Sequence, residues 1–285
     1  LLLVVRPMNK IGIMQGRVLP ERLDKLQIFP TSNWKKEICE IQAAGFDCVE
    51  LLFDKELILE KLLGDFDNVK SFGIKSDNKR NQFTAQSICM DYLCSVSILN
   101  PQKQHFFYDK IINLLDTINN TTIEVLVIPL LDVSSVTSQS ALQYVLEWIS
   151  ERKLDEKASK SNTILALELN LPALQISSAF KGYSFSNIAI CYDLGNARAA
   201  GNRPEKEIII LNDLIAHIHI KDRKVNGPNV MLGEGDVDFG ECFKSLKEIG
   251  YDGQLVLETV YETSPAAEAK KNFRFIQDVI AGALP

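Results

Sequence analysis

The sequence predicts an α/β protein folded as a single (β/α)8, or TIM, barrel, and three observations carry that expectation. Short apolar runs of β character alternate with longer amphipathic runs from one end to the other. Eight such pairs fit at about 36 residues each, close to the usual length of this barrel. No linker or shift in composition divides the chain, and continuous apolar strands between helices are the pattern of a parallel sheet covered by helices. One domain is expected over residues 11–285, preceded by an N-terminal extension, 1–10.

The first strand is read at Ile11–Met14, followed by a Gln15-Gly16-Arg17 loop. A helix spans Asn33 to Ala44, with Asn33 as cap and Ile38, Ile41 and Ala44 on one side. Gly45 ends it where a left-handed residue is wanted. The second strand is Cys48–Phe53, with a helical region after it to about Phe72, interrupted near Gly64. The third, Ala85–Asp91, leads to a helix opened by Pro101, with Phe106, Ile111, Leu114, Leu115 and Ile118 as its apolar side.

Val125–Ile128 is the fourth strand, ending at Pro129, and an amphipathic helix follows from Ser140 to Lys157. Strands five and six are Ile164–Glu168 and Ile188–Asp193, with a short helix including Ser177–Phe180 between them. Pro204–Leu211 is the sixth helix, and Ile215-Ala-His-Ile-His-Ile220 the seventh strand. A loop from Lys221 to Val237 precedes Asp238-Phe-Gly-Glu241, which has capping-box spacing and starts a helix to Ile249. Gly250 stops that helix, Gln254–Glu258 is strand eight, and Ser264-Pro265 begins a last helix ending near Ile280.

An open doubly wound sheet is the rival architecture, but it carries a glycine-rich turn after its first strand. Here that turn, Met14-Gln15-Gly16-Arg17, has one glycine, and no GxxxxGK[ST] or GxSxG string occurs.

The totals narrow the partners. The 285 residues are 46% hydrophobic and 24% charged, the balance of a globular protein with a substantial core. A net charge of −6 disfavours an electrostatic grip on nucleic acid or an anionic membrane, leaving a small molecule as the expected partner. The six cysteines form no CxxC pair and read as reduced core residues of a cytoplasmic protein. The apolar start, Leu1–Val5, is too short to span a bilayer and lacks the pattern of a secretory signal. Homo-oligomerisation is compatible with the sequence and not specified by it.

Four consecutive predicted strands end on metal-ligand side chains: Glu168, Asp193, His219 and Glu258. In a (β/α)8 barrel the C-terminal strand ends build the active site. A charge that closes an apolar strand costs several kcal/mol if buried unpaired. Four in a row therefore point to a common cation rather than to four separate escapes to solvent. Hard oxygen ligands with one imidazole suit Mn, Mg, Co or Zn better than a thiolate-seeking ion. Of the three histidines, His217 shares a strand face with His219 but lies deeper, which suits a supporting hydrogen bond better than ligation. His105, on a helix, reads as structural.

In this order and spacing, the four strand ends resemble the xylose-isomerase-like TIM-barrel superfamily. So do His219-Ile-Lys-Asp222 and the run Leu232-Gly-Glu-Gly-Asp-Val-Asp-Phe239. Ile13-Met-Gln-Gly-Arg17, Gly45-Phe-Asp-Cys-Val-Glu50 and Ser87-Ile-Cys-Met-Asp-Tyr92 are similar to its sugar-phosphate isomerase/epimerase branch. The resemblance implies a divalent metal on Glu168, Asp193, His219 and Glu258. It also implies that the two glutamates, Glu168 and Glu258, pass a proton to and from a sugar carbon through a metal-stabilised enediolate.

Sugar or sugar-phosphate binding is expected from Arg17, Glu50, Asp91, Asn196, His217, Lys221 and Arg223, with a basic rim of Arg17, Lys221, Arg223 and Lys224. There, backbone N–H groups of Gly233 and Gly235 would approach a phosphate. Two departures bear on the substrate. Asn196 stands where the ketohexose 3-epimerases have histidine, and Arg223 follows the histidine ligand more closely than their substrate arginine. Both lean towards an anionic sugar. An inositol-type dehydratase using the same groups, or a non-catalytic sugar-binding barrel, are the alternatives. An apurinic endonuclease would need more histidines and a basic groove.

Overall fold

The computed structural model describes residues 9–19, 27–30, 33–54 and 83–282. The helical region expected to reach Phe72, and most of the N-terminal extension, lie outside the described residues.

Eight strands close a parallel barrel in sequence order: β1 (Ile11–Met14), β2 (Cys48–Leu52), β3 (Thr84–Cys89), β4 (Val125–Pro129), β5 (Ile164–Glu168), β6 (Ile188–Asp193), β7 (Ile215–Ile220) and β8 (Gln254–Leu257). Closure is made by β1, which pairs β2 through Gly12↔Cys48 and β8 through Ile13↔Leu257. The two-residue alternation of each strand sorts its side chains into two cores. Met14, Leu52, Cys89, Val125, Val127, Ala166, Cys191 and Val256 cluster on one side of the strands. Their neighbours Ile13, Leu51, Ile88, Leu126, Leu165, Ile190 and Leu255 join the helices in a larger outer core. Every strand is buried on both faces, so it reads as an unbroken apolar run.

The helices are α1 (Trp34–Ala44), α2 (Gln104–Ile118), α3 (Gln139–Glu151), α4 (Leu154–Lys160), α5 (Ala173–Phe180), α6 (Leu194–Ala199), α7 (Pro204–Leu211), α8 (Phe239–Glu248) and α9 (Pro265–Ile280). Gly45 terminates α1 at φ 104°, its N–H donating to Gln42 O. Asp238 caps α8 by accepting from Glu241 N at 2.9 Å.

Several expectations are corrected. The single helix read from Ser140 to Lys157 is two: Lys153 takes a left-handed conformation, φ 55°, and the chain turns to bury Leu154 and Ala158. Pro101 lies in a turn ahead of α2, held by Gln102 N donating to Asn100 Oδ1 at 3.0 Å. The helix starts three residues later, and Phe107 rather than Phe106 becomes its fully buried aromatic. Asp91 leaves β3 and opens a 3-10 turn, Asp91–Ser95. The helix α6 was not anticipated. His105 stands on α2 as read, its side chain 84% exposed and paired with Asp109 at 3.1 Å. All six cysteines are free thiols, and Cys39 is exposed rather than in the core.

Candidate active site

The C-terminal strand ends converge. Glu168 is the last residue of β5 and Asp193 of β6; His219 is next to last in β7, and Glu258 follows β8. Register places Asp193 opposite His219, and His219 opposite Val256. All four side chains are buried, and one ligand atom from each lies within 4.8 Å of the others.

The orientation of His219 is set from below. Its Nε2 lies 2.9 Å from Glu50 Oε1, while Nε2 of His217 approaches Glu50 Oε2 at 2.8 Å. Glu50 is fully buried. Burial alone would raise its carboxyl, but the two imidazoles outweigh that and hold it well below the ordinary carboxylate range. An ionised carboxylate only accepts, so Nε2 of His219 must carry its hydrogen. That leaves Nδ1 facing the acids, 3.8 Å from Glu168 Oε1, 4.0 Å from Asp193 Oδ2 and 3.4 Å from Glu258 Oε2. This buried Nδ1 has no hydrogen-bond partner.

Three carboxylates around such an atom fit a hard divalent cation. A second group within reach of an ion, Cys191 with His217 and His219, fits less well. Glu50 faces Nε2 of His217, and burial pushes the Cys191 thiol up to about 12, where it stays protonated and a poor ligand.

Lys221 belongs inside this cluster and not on a solvated rim. Its Nζ lies 2.9 Å from Asp193 Oδ2 and 3.1 Å from Glu258 Oε2, in a side chain 8% exposed. Burial opposes the ammonium, but Asp193 and Glu258 hold its pKa above the ordinary lysine value. Burial, with Glu258 and Glu168 close by, pushes Asp193 up to about 6 against the pull of Lys221. Glu258 goes the other way: burial is outweighed by Lys221, His219 and Arg17, and its carboxyl is lowered.

Arg17 is buried as well. Its NH2 donates to Gln27 Oε1 at 2.7 Å, and Gln27 Nε2 donates to Glu258 Oε1 at 2.8 Å. Gln27 is a site residue the sequence reading missed. It sits in a loop with no periodicity, and nothing in the one-dimensional pattern marks it. Asn196 lies on α6, its N–H donating to Asp193 Oδ1 at 2.7 Å and its Nδ2 to Glu168 Oε1 at 3.3 Å. Arg223 donates to Asn196 Oδ1 and to Gly227 O, both at 2.9 Å. Asp91 is half-buried; burial, then Glu258 and Glu168, push its carboxyl up to about 7.

The residues expected to contact a substrate thus fall into two groups. Arg17, Asp91, Asn196, Lys221 and Arg223 surround the carboxylates or lie one contact away. Glu50 and His217, both with no exposed surface, meet each other beneath them.

The expected glycine cradle is already filled. N–H groups of Gly233 and Gly235 donate to Asp222 Oδ2 at 2.9 and 2.8 Å, and Val237 N donates to Oδ1 at 3.2 Å. A Cβ at Gly235 would overlap that carboxylate. These amides therefore fold the loop after β7 around its own aspartate, next to a short ribbon of Asp222–Arg223 with Asn229–Val230. Lys224 pairs with Asp236 at 3.5 Å.

A family model described as xylose isomerase-like TIM barrel matches residues 39–279. The chain belongs to that family. Over 124 residues it is 37% identical to the L-ribulose-5-phosphate 3-epimerase UlaE of Escherichia coli O1:K1 / APEC, an alignment covering 41% of this chain and 44% of that protein. The UlaE of Salmonella typhi is 36% identical over the same shares. The chain thus matches less than half the length of these curated relatives.

Among solved structures of the fold, one of L-ribulose 3-epimerase aligns with TM-score 0.73 and 18% identity, over 97% of this chain and 96% of that one. A structure of the IOLI protein with a binding zinc atom aligns with TM-score 0.73 and 14% identity, over 96% and 99%. At such identities these likenesses speak for the barrel alone.

Proposed function

We propose that this xylose isomerase-like barrel is a divalent-metal-dependent sugar or sugar-phosphate epimerase or isomerase. The observation that carries the reading is the unpartnered, buried Nδ1 of His219 facing Glu168, Asp193 and Glu258. The likeness to L-ribulose-5-phosphate 3-epimerases supports the reaction class.

Glu168, Asp193, His219 and Glu258 would hold the ion. When bound, a divalent cation supplies Lewis-acid stabilisation of negative charge on a substrate oxygen. The chain's own residues move the proton. Shifting a carbonyl, or inverting the carbon beside one, begins by removing a proton from that carbon, which needs a carboxylate that is ionised at neutral pH.

Glu258 meets that need, since Lys221, His219 and Arg17 keep it charged while Gln27 fixes Oε1. Glu168 stands three strands away around the barrel, so the pair flanks Asp193 and His219 from two sides. One glutamate takes the proton and the other returns it to the opposite face. Asp91 and Asn196 would hold substrate hydroxyls, and Arg223, with Arg17 and Lys221, an anionic group or oxygen. Partners beyond a small molecule are not required by this chemistry. No helix among the described residues is long and apolar enough to cross a membrane.

The test is a proton NMR assay in deuterium oxide with L-ribulose 5-phosphate, L-ribulose and D-tagatose, with Mn, Mg, Co or Zn supplied. Epimer formation with deuterium entering one carbon is expected. Glu168→Gln and Glu258→Gln should each lower turnover by about 10²–10⁴-fold. Turnover without exchange ends the proton-transfer reading, and a product lighter by one water indicates a dehydratase.

A further inference from the structure

The opposite end of the barrel holds a cavity that the proposed chemistry does not use. It has a volume of about 610 Å³, in the range of small-molecule sites, and opens at the N-terminal ends of the strands. Gln254 begins β8, and Glu258 lies just beyond its far end, so roughly 13 Å of strand separates this cavity from the site above.

Two glutamines form its floor. Gln86 sits at an irregularity in β3: Val49 pairs with Ala85 but the next residue, Glu50, pairs with Ser87, so Gln86 is the extra residue of a bulge. Gln254 reaches across the barrel, and its Nε2 lies 3.5 Å from Gln86 O. Both side chains are 5% exposed, both line the cavity, and the Oε1 of each has no hydrogen-bond partner. Buried acceptors left without donors are uncommon and costly.

The walls above them include an apolar stretch from Val125, Ile164, Ile215 and Ala216, beside Asn212 and Tyr251. The rim is acidic: Glu124, Asp213 and Asp252 stand against one lysine, Lys10. None of the three carboxylates is drawn into an ion pair among the described residues.

We propose that this cavity binds a short aliphatic diamine in its doubly protonated form. An ammonium group is donor-only, which is what two unpartnered amide oxygens require. A methylene chain matches the apolar stretch, and a second ammonium matches the rim carboxylates. A bare metal ion is far smaller than the space, and a neutral polyol would leave the rim charge unanswered.

Calorimetric titration of the full chain with butane-1,4-diamine, butane-1,4-diol and succinate tests this. The diamine should bind with Kd of about 1 mM or tighter, and the other two should give no saturable heat. Gln254→Leu should weaken diamine binding about tenfold, as for one lost charge-assisted hydrogen bond. The exposed-rim variant Glu124→Gln/Asp213→Asn/Asp252→Asn, which disturbs no buried contact, should weaken it at least as much. Neither variant touches the strand-end carboxylates, so sugar turnover in the same preparations should be unchanged. No saturation by the diamine, equal binding of the diol, or affinity indifferent to the rim charges would overturn the proposal.

Discussion

Glu50 shows how one residue is assigned a different task by its surroundings. As the one charged residue in an apolar strand it reads as a substrate ligand, yet its two oxygens face His219 at 2.9 Å and His217 at 2.8 Å. A carboxylate behind a ligating imidazole fixes the tautomer and aims the ring, and such partners carry 10–100-fold in metal affinity. Glu50→Gln keeps the volume but removes the charge, and its amide presents a donor to one of the imidazoles. Divalent-metal affinity, measured by competition with a chelator at neutral pH, should fall about 10–100-fold. Wild-type affinity in this variant would detach Glu50 from the proposed metal site. His217, with no exposed surface, should matter through its contact with the same carboxylate and not through substrate contact.

Among the elements, the strands were the most legible and the loops the least. Each barrel strand is buried on both faces, so apolar runs such as Leu165-Ala-Leu167 and Leu255-Val-Leu257 announce themselves, as do the charged residues that close them. Helix boundaries set by local backbone were harder. Lys153 breaks a continuous amphipathic pattern by adopting φ 55°, which lysine does not advertise. Glu50 and Gln27 were misread or missed because their roles depend on residues over 160 positions away.

The loop after β7 was the sharpest reversal. Its glycines suit close approach of an anion, and the anion is Asp222, accepting from Gly233, Gly235 and Val237. Asp222→Ala would strand three amides. At roughly 1 kcal/mol for each lost bond, stability should drop by about 3 kcal/mol. For a domain of this size the melting temperature should fall by about 6–12 °C. Thermal unfolding followed by circular dichroism checks it. A melting temperature unchanged by the substitution would mean that water serves these amides equally well.

At the scale of the molecule, the eight-stranded barrel is what forces so much charge into so small a volume. Glu168, Asp193 and Glu258 are brought together because strands far apart in sequence end at one mouth, and Asp91 is the group that registers it. Burial, then Glu258 and Glu168, push the Asp91 carboxyl up to about 7, whereas in an unfolded chain an aspartate titrates near ~3.9. Between those two values the folded protein binds more protons than the unfolded one. The favourable contribution of protonated Asp91 is therefore fully present below about pH 4 and is lost as pH rises through about 7.

Asp91→Asn removes that loss. In metal-free protein the variant should match wild type near pH 4 and melt measurably higher near pH 8, the gap opening between those values. Neutralising Glu168 and Glu258 with a bound divalent cation weakens the repulsion that raises Asp91, so saturating metal should narrow the gap. A difference in melting temperature that is flat from pH 4 to 8 would show that Asp91 does not feel the strand-end carboxylates. A gap that opens with pH but ignores added metal would place its cause in burial alone.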